Sequence, residues 1–248
     1  MKYMRNYLRS VIVRVDFLAP VLDMSKSLPE TLQNAIIRDF PVPERQEIQV
    51  QFGPISIVRD SSPRKTIMLD FYTGNRTGHL GIGTDFLFIE ESSYSGYDAL
   101  SHSFLSVLGE LLALSSEQPA TRRLGLRYQN VIPAPGKNPL DWTGYIDSKL
   151  LLAISHASMS NPGLCRAMTY LEFNDSDARF IFQYGIPNQD YPAPIRRKEF
   201  ILDFDSFVTG VVERQQLANT LNDLHSRVET TFETAILAKL RKAMARDE

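Results

Sequence analysis

The residues best suited to hold a charged ligand lie together in one strand-like segment, residues 122–130, with the sequence RRLGLRYQN. The alternation of side chains along a β-strand would place Arg123, Gly125 and Arg127 on one face. Two guanidinium groups beside a glycine can bind a phosphate or a carboxylate, because the glycine lets a ligand approach the backbone closely. The candidate anion-binding or partner-binding residues of this segment, called the arginine strand below, are Arg122, Arg123, Arg127 and Asn130.

The same arginines have a structural alternative. Arginines on a strand also form ion pairs with carboxylates across a sheet, and Asp70 and Asp203 lie in other strand-like segments of this chain. The residue types alone leave both interpretations open.

A secondary basic cluster, Arg196, Arg197 and Lys198, precedes another predicted strand. With the arginine strand it would line a nucleic-acid groove if the two clusters met in the folded protein. The charge balance argues against this role, because 27 basic and 29 acidic residues give a net charge of −2. Such a protein has no general attraction for a polyanion. Nucleic acid is therefore a partner that the sequence permits and does not favour.

No complete catalytic or metal-binding constellation is evident. Asp203 and Asp205 share one strand face, but a divalent cation needs further oxygen ligands that no fixed spacing supplies. The four histidines lack the i, i+4 spacing of a zinc-binding helix, and no helix start follows Gly81-Ile-Gly83, as a phosphate-binding loop requires. Cys165 is interpreted as a buried apolar residue. The sequence therefore predicts no metal and no cofactor, and it favours a protein that is not an enzyme.

The elements that would position these residues follow from hydrophobic periodicity and turn residues. Strands are predicted over residues 7–17, 46–59, 65–73, 79–90, 121–132, 164–173, 178–186 and 198–209. Helices are predicted over residues 27–40, 97–111, 141–154 and 213–245. Ser27 and Glu30 have the spacing of a capping box, which predicts the start of the first helix.

A proline-rich stretch, residues 133–139, predicts a boundary, since it cannot continue a central strand or the interior of a helix. The predicted domains are an N-terminal α+β module over residues 1–132 and a C-terminal α+β module over residues 140–248, joined by this linker. Residues 67–71 and 200–204 share an apolar-apolar-Leu-Asp-Phe pattern, so the modules are interpreted as related. The predicted fold class is α+β, with mainly antiparallel sheet, helices packed on one face and a long C-terminal helix.

Composition and the N-terminal pattern predict a cytoplasmic protein. The chain has 248 residues, of which 43% are hydrophobic and 23% charged, as in ordinary globular proteins. Its first residues alternate like a strand rather than a signal peptide, and no segment reaches the roughly 18 apolar residues of a membrane helix. The single cysteine excludes an internal disulfide. We therefore expect no membrane partner.

Residues 123–132, RLGLRYQNVI, resemble the R-[IL]-G-L-R-Y-x-N-x-I motif of a sporadically distributed prokaryotic family of uncharacterised proteins of about this length. Residues 202–205, LDFD, and the later L-x-x-L-H pattern over residues 221–225 are similar to the second conserved stretch of that family. The family has no established activity, so the resemblance implies little about mechanism. Its patchy distribution is typical of accessory or defence-associated genes.

These observations predict a non-catalytic interaction or accessory protein that acts through protein–protein contacts. Its partner would be another protein or a second copy of this chain, and a homodimer through the final helix is one such arrangement. The alternative is a nucleic-acid-binding or nucleotide-binding protein that uses the arginine strand.

Overall fold

The computed structural model describes residues 3–49, 65–114, 119–134, 136–160, 163–175 and 178–245. Most of the predicted strand over residues 46–59 lies outside the described residues, as does Pro135 of the proline-rich stretch.

Nine strands and five helices make up the regular structure of the described residues. The strands are β1 (Leu8–Phe17), β2 (Val42–Gln49), β3 (Lys65–Tyr72), β4 (Gly78–Ile82), β5 (Phe86–Glu91), β6 (Thr121–Pro133), β7 (Ala167–Asp175), β8 (Ala178–Ile186) and β9 (Glu199–Thr209). The helices are α1 (Glu30–Ile37), α2 (Tyr97–Ala113), α3 (Leu152–Ser160), α4 (Leu217–Ala235) and α5 (Ala238–Met244). Short 3-10 turns, Ser148–Leu151 and Arg214–Gln216, precede α3 and α4.

The strands form one antiparallel sheet in the order β2-β3-β4-β5-β1-β6-β9-β8-β7. Strands β7 and β8 pair antiparallel without a break in register, with Leu171 opposite Phe182. Strands β8 and β9 pair in the same way, with Phe182 opposite Phe204. The structure thus confirms the α+β class, the antiparallel sheet and the long helix near the C-terminus.

The chain divides into two compact units that interleave along the sequence. The first unit consists of Ile12–Gly125 and Thr209–Leu221, and the second of Met1–Val11, Leu126–Val208 and Asn222–Glu248. Strands β1 and β6 contribute residues to both units. The predicted modules are contiguous in sequence, and their bounds, residues 1–132 and 140–248, remain a prediction.

The two faces of β6 differ in the way that its sequence predicts. Leu124, Leu126 and Tyr128 are buried, whereas Arg127 is exposed and Gln129 is half-buried. Alternate side chains of a strand point to opposite faces, so one face of this strand packs into the core and the other carries the charged groups.

In the first unit, α2 buries a stripe with spacings of three and four residues, as its sequence predicts. The stripe consists of Leu100, Phe104, Leu108 and Leu111. Helix α1 contacts α2, and α2 contacts β5. The core of this unit therefore lies between these helices and the sheet.

In the second unit, the core is built from aromatic rings. Trp142 is fully buried, and its ring centroid lies 5.2 Å from that of Phe200 on β9. Phe204 stacks on Phe182 of the neighbouring strand at 4.9 Å and meets Phe232 of α4 edge-on at 6.4 Å. Such offset and edge-to-face pairs add stabilisation beyond the apolar area that they bury.

Two local predictions are wrong in the first unit. Helix α1 begins at Glu30, and Pro29 precedes it in an extended conformation without a side-chain cap, so Ser27 lies outside the helix start. Residues 79–90 form two strands, β4 and β5, because the chain reverses between them and the Gly83 amide donates to the Phe86 carbonyl at 3.0 Å.

Two helix predictions are wrong in the second unit. The predicted helix over residues 141–154 begins only at the 3-10 turn Ser148–Leu151. The predicted final helix is interrupted after Ala235, because Ile236 forms an isolated β-bridge with Ile146 and the Leu237 amide donates to the Tyr145 carbonyl at 2.8 Å. Backbone groups that would form the next hydrogen bonds of the helix are thus engaged in these long-range hydrogen bonds.

Candidate functional site

Within the second unit, the arginine strand binds an acidic residue of the neighbouring strand. Arg127 donates to both carboxylate oxygens of Asp203 on β9, with Nε–Oδ1 at 2.9 Å and Nη2–Oδ2 at 2.6 Å. Gln129 also donates to Oδ2, at 3.2 Å. The Asp203 side chain is only 7% exposed, whereas that of Arg127 is 44% exposed. The bidentate edge of the guanidinium thus neutralises a buried carboxylate.

Asn130 contacts the same strand through the backbone. Its Nδ2 donates to the Leu202 carbonyl at 3.1 Å, and the residue is buried. A buried amide needs a hydrogen-bond partner, and the backbone of β9 provides one. This placement supports a structural role for Asn130 in joining β6 to β9.

Arg122 and Arg123 belong to the first unit. Asp16 is buried and is bound by Arg14, whose Nε and Nη2 lie 3.0 and 2.6 Å from Oδ1. Arg122 is a more distant partner of the same oxygen, at 3.8 Å. The guanidinium of Arg123 lies over Gly125, where a β-carbon would come within 2.7–2.8 Å of its atoms. The glycine therefore accommodates the Arg123 side chain.

The predicted set is thus divided between two environments. Arg122 lies near Asp16 and Arg123 lies over Gly125 in the first unit, whereas Arg127 binds Asp203 and Asn130 binds the Leu202 carbonyl in the second. The contact of Arg127 with Asp203 is one that the structural alternative named, whereas Asp16 was not named and Asp70 contacts His79. A ligand-binding role for these residues remains a prediction.

The secondary basic cluster presents its side chains to different partners. Arg196 is exposed, and Arg197 donates from Nη1 to Oε1 of Gln189 at 3.1 Å while its Nε lies 4.0 Å from Asp190. Lys198 is half-buried and packs on aromatic rings instead. The three residues thus have different surroundings, and a ligand-binding role for this cluster remains a prediction.

Lys198 and Lys239 both lie against Tyr145. Their ammonium nitrogens are 5.7 and 5.6 Å from the centre of that ring, and Lys198 is also 5.7 Å from the ring of Trp142. Lys239 donates to the Thr143 carbonyl at 3.0 Å. Cation–π contacts of this kind stabilise the loop that carries the two aromatic residues.

A carboxylate–imidazole pair in the first unit was missed by the sequence reasoning. Nε2 of His79 on β4 lies 2.6 Å from Oδ1 of Asp70 on β3, which is buried. The ring of Tyr72 stacks on that of His79 at 4.6 Å, and Phe88 meets it edge-on at 5.0 Å. The pair follows from the register of β3 against β4, which places Tyr72 opposite His79 and Asp70 diagonally across from His79. The sequence alone does not show this register.

A carboxylate that orients a histidine is also the arrangement that prepares a general base. Here the imidazole ring is packed by two aromatic rings, and the buried Oδ2 of Asp70 has no hydrogen-bond partner among the described residues. Desolvation, together with the carboxylates of Asp70 and Glu44, raises the pKa of Tyr72 above its usual value. Among the described residues, no group of three His, Cys, Asp or Glu side chains could hold a metal ion.

An exposed apolar surface lies on strand β7 of the second unit. Tyr170, Leu171 and Phe173 are 57%, 37% and 48% exposed. All nine residues of β7 pair with β8, and within the described ranges no strand lies beside its other edge. This strand therefore presents an open backbone edge and apolar side chains on both of its faces. We call it the β7 edge.

The position of β7 also overturns one sequence interpretation. The sequence predicts that Cys165 is buried, but the residue precedes β7, is half-buried and has its thiol 3.2 Å from the Gly163 carbonyl. The alternation of apolar residues indicates a strand, but it does not show that the strand lies at the edge of the sheet. Burial on both sides cannot be assumed there.

Comparison with known proteins found no protein-family model and no curated protein that matches this chain. The family resemblance of residues 123–132 therefore remains a prediction. Within the part of the chain that the structure describes, no helix is both long enough and apolar enough to span a membrane.

Proposed function

We propose that this protein is a non-catalytic interaction protein that binds other protein chains through the β7 edge. The observation that carries the proposal is a nine-residue edge strand on which three large apolar side chains are exposed. The outer edge of such a strand offers backbone N–H and C=O groups to an added strand. Side chains on its two faces then supply apolar contact and select the partner.

The two outermost strands among the described residues, β2 and β7, differ in the residues that protect a strand from pairing. Strand β2, with the sequence VPERQEIQ, contains a proline and three charged residues. Strand β7, with the sequence AMTYLEFND, contains neither a proline nor a basic residue. Proline and charged side chains are among the devices by which proteins block edge pairing. Strand β7 has two charged residues, both acidic, and no proline, so it is less protected than β2.

The contacts of the arginine strand support protein binding over nucleic-acid binding. The guanidinium edge of Arg127 that would hold a phosphate already binds the carboxylate of Asp203. A phosphate there would have to displace a buried carboxylate from its partner, which is costly.

Site-specific photo-crosslinking in the native host tests this proposal. A photoreactive phenylalanine analogue at Tyr170 should form a protein adduct, which mass spectrometry identifies and which Leu171→Lys abolishes. The same analogue at Leu152, an exposed apolar residue of α3 in the same unit, is the control. The proposal is refuted if position 170 yields no more adduct than position 152, or if Leu171→Lys leaves the adduct unchanged.

A further inference from the structure

We propose that the β7 edge binds an extended segment of another protein in which apolar residues alternate with basic residues. This inference rests on the proposed function, because it assigns a chemistry to the partner of the same edge. A strand that is added beside β7 continues both faces of the sheet, so every second residue of the segment lies on the same face. The two faces of β7 therefore specify the two kinds of residue separately.

One face of β7 continues the aromatic core of the second unit. Leu171 lies opposite Phe182 in the register of β7 and β8, and Phe173 lies opposite Phe180. Phe180 and Phe182 are buried, and the ring centroids of Phe173 and Phe180 are 6.1 Å apart. Leu171 and Phe173 form the exposed end of this row. Apolar side chains on this face of the added segment would remove that end from water, which is favourable.

The opposite face of β7 presents a carboxylate. Glu172 lies on this face with Tyr170, and its side chain is 46% exposed. The Tyr170 hydroxyl donates a hydrogen bond to Glu172 within the chain. Desolvation raises the pKa of this hydroxyl, and the carboxylates of Glu172 and Asp205 raise it further, so these carboxylates make the potential around it negative. A lysine or arginine on this face of the added segment would meet an opposite charge there.

Two arginines contact the carboxylates of β7 from elements on the inner side of this strand. Arg179 of β8 lies 3.7 Å from Glu172, and Arg227 of α4 lies 3.1 Å from Asp175. Both ion pairs are partly exposed to solvent, so they contribute little and leave the carboxylates accessible to a second cation. Strand β7 itself has two carboxylates and no basic residue, and an added strand lies only about 4.8 Å from it. Because opposite charges on neighbouring strands attract and like charges repel, a basic segment is favoured over an acidic one.

Fluorescence anisotropy with three labelled peptides tests this chemistry. The first, KVKVTVKVK, alternates lysine and valine around a central threonine. The second replaces each lysine by glutamate, and the third, KKVVTVVKK, has the composition of the first without its alternation. The first peptide should bind, and each of the others should have a dissociation constant at least about tenfold higher. Leu171→Ala should weaken binding of the first peptide about fivefold, because it removes apolar contact.

A charge reversal at position 172 isolates the contribution of the carboxylate. Glu172→Lys should reverse the preference, so that the glutamate peptide binds more tightly than the lysine peptide. Asp190→Lys is the matched control, because Asp190 is 49% exposed and lies 4.0 Å from Arg197, in the loop after β8. It should leave both dissociation constants unchanged within about twofold, since screening by salt limits its effect at β7. Circular dichroism confirms that each variant is folded before its binding is measured.

Absence of binding by the lysine peptide at about 1 mM would overturn the inference, as would equal affinities for the lysine and glutamate peptides. Self-association in sedimentation velocity that Leu171→Lys abolishes would assign the edge to a second copy of this chain instead. These results are distinguishable from failure of the proposed function. An adduct at position 170 whose cross-linked segment is not basic refutes only the partner chemistry, whereas loss of the adduct in the native host removes both proposals.

Discussion

Replacement of Arg127 by alanine tests whether the arginine strand is structural. Among the described residues, the substitution removes two of the three hydrogen bonds to the Asp203 carboxylate and leaves the one from the Gln129 amide. The Asp203 carboxylate would stay buried without its countercharge. An uncompensated buried charge is the main reason why removing one partner of a buried ion pair lowers the free energy of unfolding.

The expected loss of unfolding free energy follows from the exposure of the two partners. Breaking a fully buried ion pair by removing one member costs about 3–5 kcal/mol, whereas fully exposed pairs contribute about 0.2–1 kcal/mol. Asp203 is 7% exposed but Arg127 is 44% exposed, so water can reach part of the vacated site. We therefore expect a loss of about 2–3 kcal/mol, between these two limits.

Arg122→Ala is the matched control on the same strand. Arg122 is 59% exposed and lies 3.8 Å from Asp16, which keeps its bidentate partner Arg14. Its removal should cost no more than about 0.5–1 kcal/mol. Urea unfolding followed by circular dichroism gives both free energies. Arg127→Lys should fall between wild type and alanine, because lysine keeps the charge and loses the bidentate geometry.

Equal losses for Arg127→Ala and Arg122→Ala would refute the structural reasoning. The guanidinium of Arg127 would then not stabilise the fold through Asp203. The ligand-binding interpretation of the arginine strand would then be favoured over the structural one. A salt-dependent interaction with RNA, DNA or a phosphorylated small molecule that both substitutions weaken would point the same way.

Two further substitutions test contacts elsewhere in the fold. The buried hydroxyl of Thr121 donates to the Gly210 carbonyl and accepts from the Val212 amide, both at 2.8 Å, so Thr121→Val should cost about 2–3 kcal/mol in urea unfolding, while Thr121→Ser should cost much less. Burial and the hydrogen bond to Glu233 raise the pKa of Tyr3 to about 12, so its contribution to stability is complete below about pH 10 and is lost as the pH rises toward 12. The stability difference between wild type and Tyr3→Phe should therefore shrink from about pH 8 to about pH 11, and an unchanged difference would contradict this assignment.

The parts of the fold that follow from local pattern could be predicted. The stripe of α2 and the alternation of β6 were confirmed, because burial of one face imposes the period of the element on its own sequence. The interruption of the final helix could not be predicted, since Ile236 continues the apolar spacing. Its backbone leaves the helix because Ile146, distant in sequence, supplies the bridge.

The candidate sites show the same division. The sequence predicted the arginine strand and named Asp203 among the partners that would make it structural, but the choice required the pairing of β6 with β9. The pair of Asp70 and His79 was missed, since it depends on the register of β3 against β4. Neither Asp70 nor His79 lies in a sequence spacing that would have predicted a carboxylate–imidazole pair.

The residue order by itself determined the α+β class, most of the strands and the faces of their side chains, because periodicity and turn residues act over a few positions. Only the tertiary structure decided which strand lies at the edge of the sheet. The apolar residues of β7 have the same alternation as those of a covered strand, and their exposure depends on whether a neighbouring strand or helix is present. That dependence is non-local, and the proposed docking surface is therefore visible only after the chain has folded.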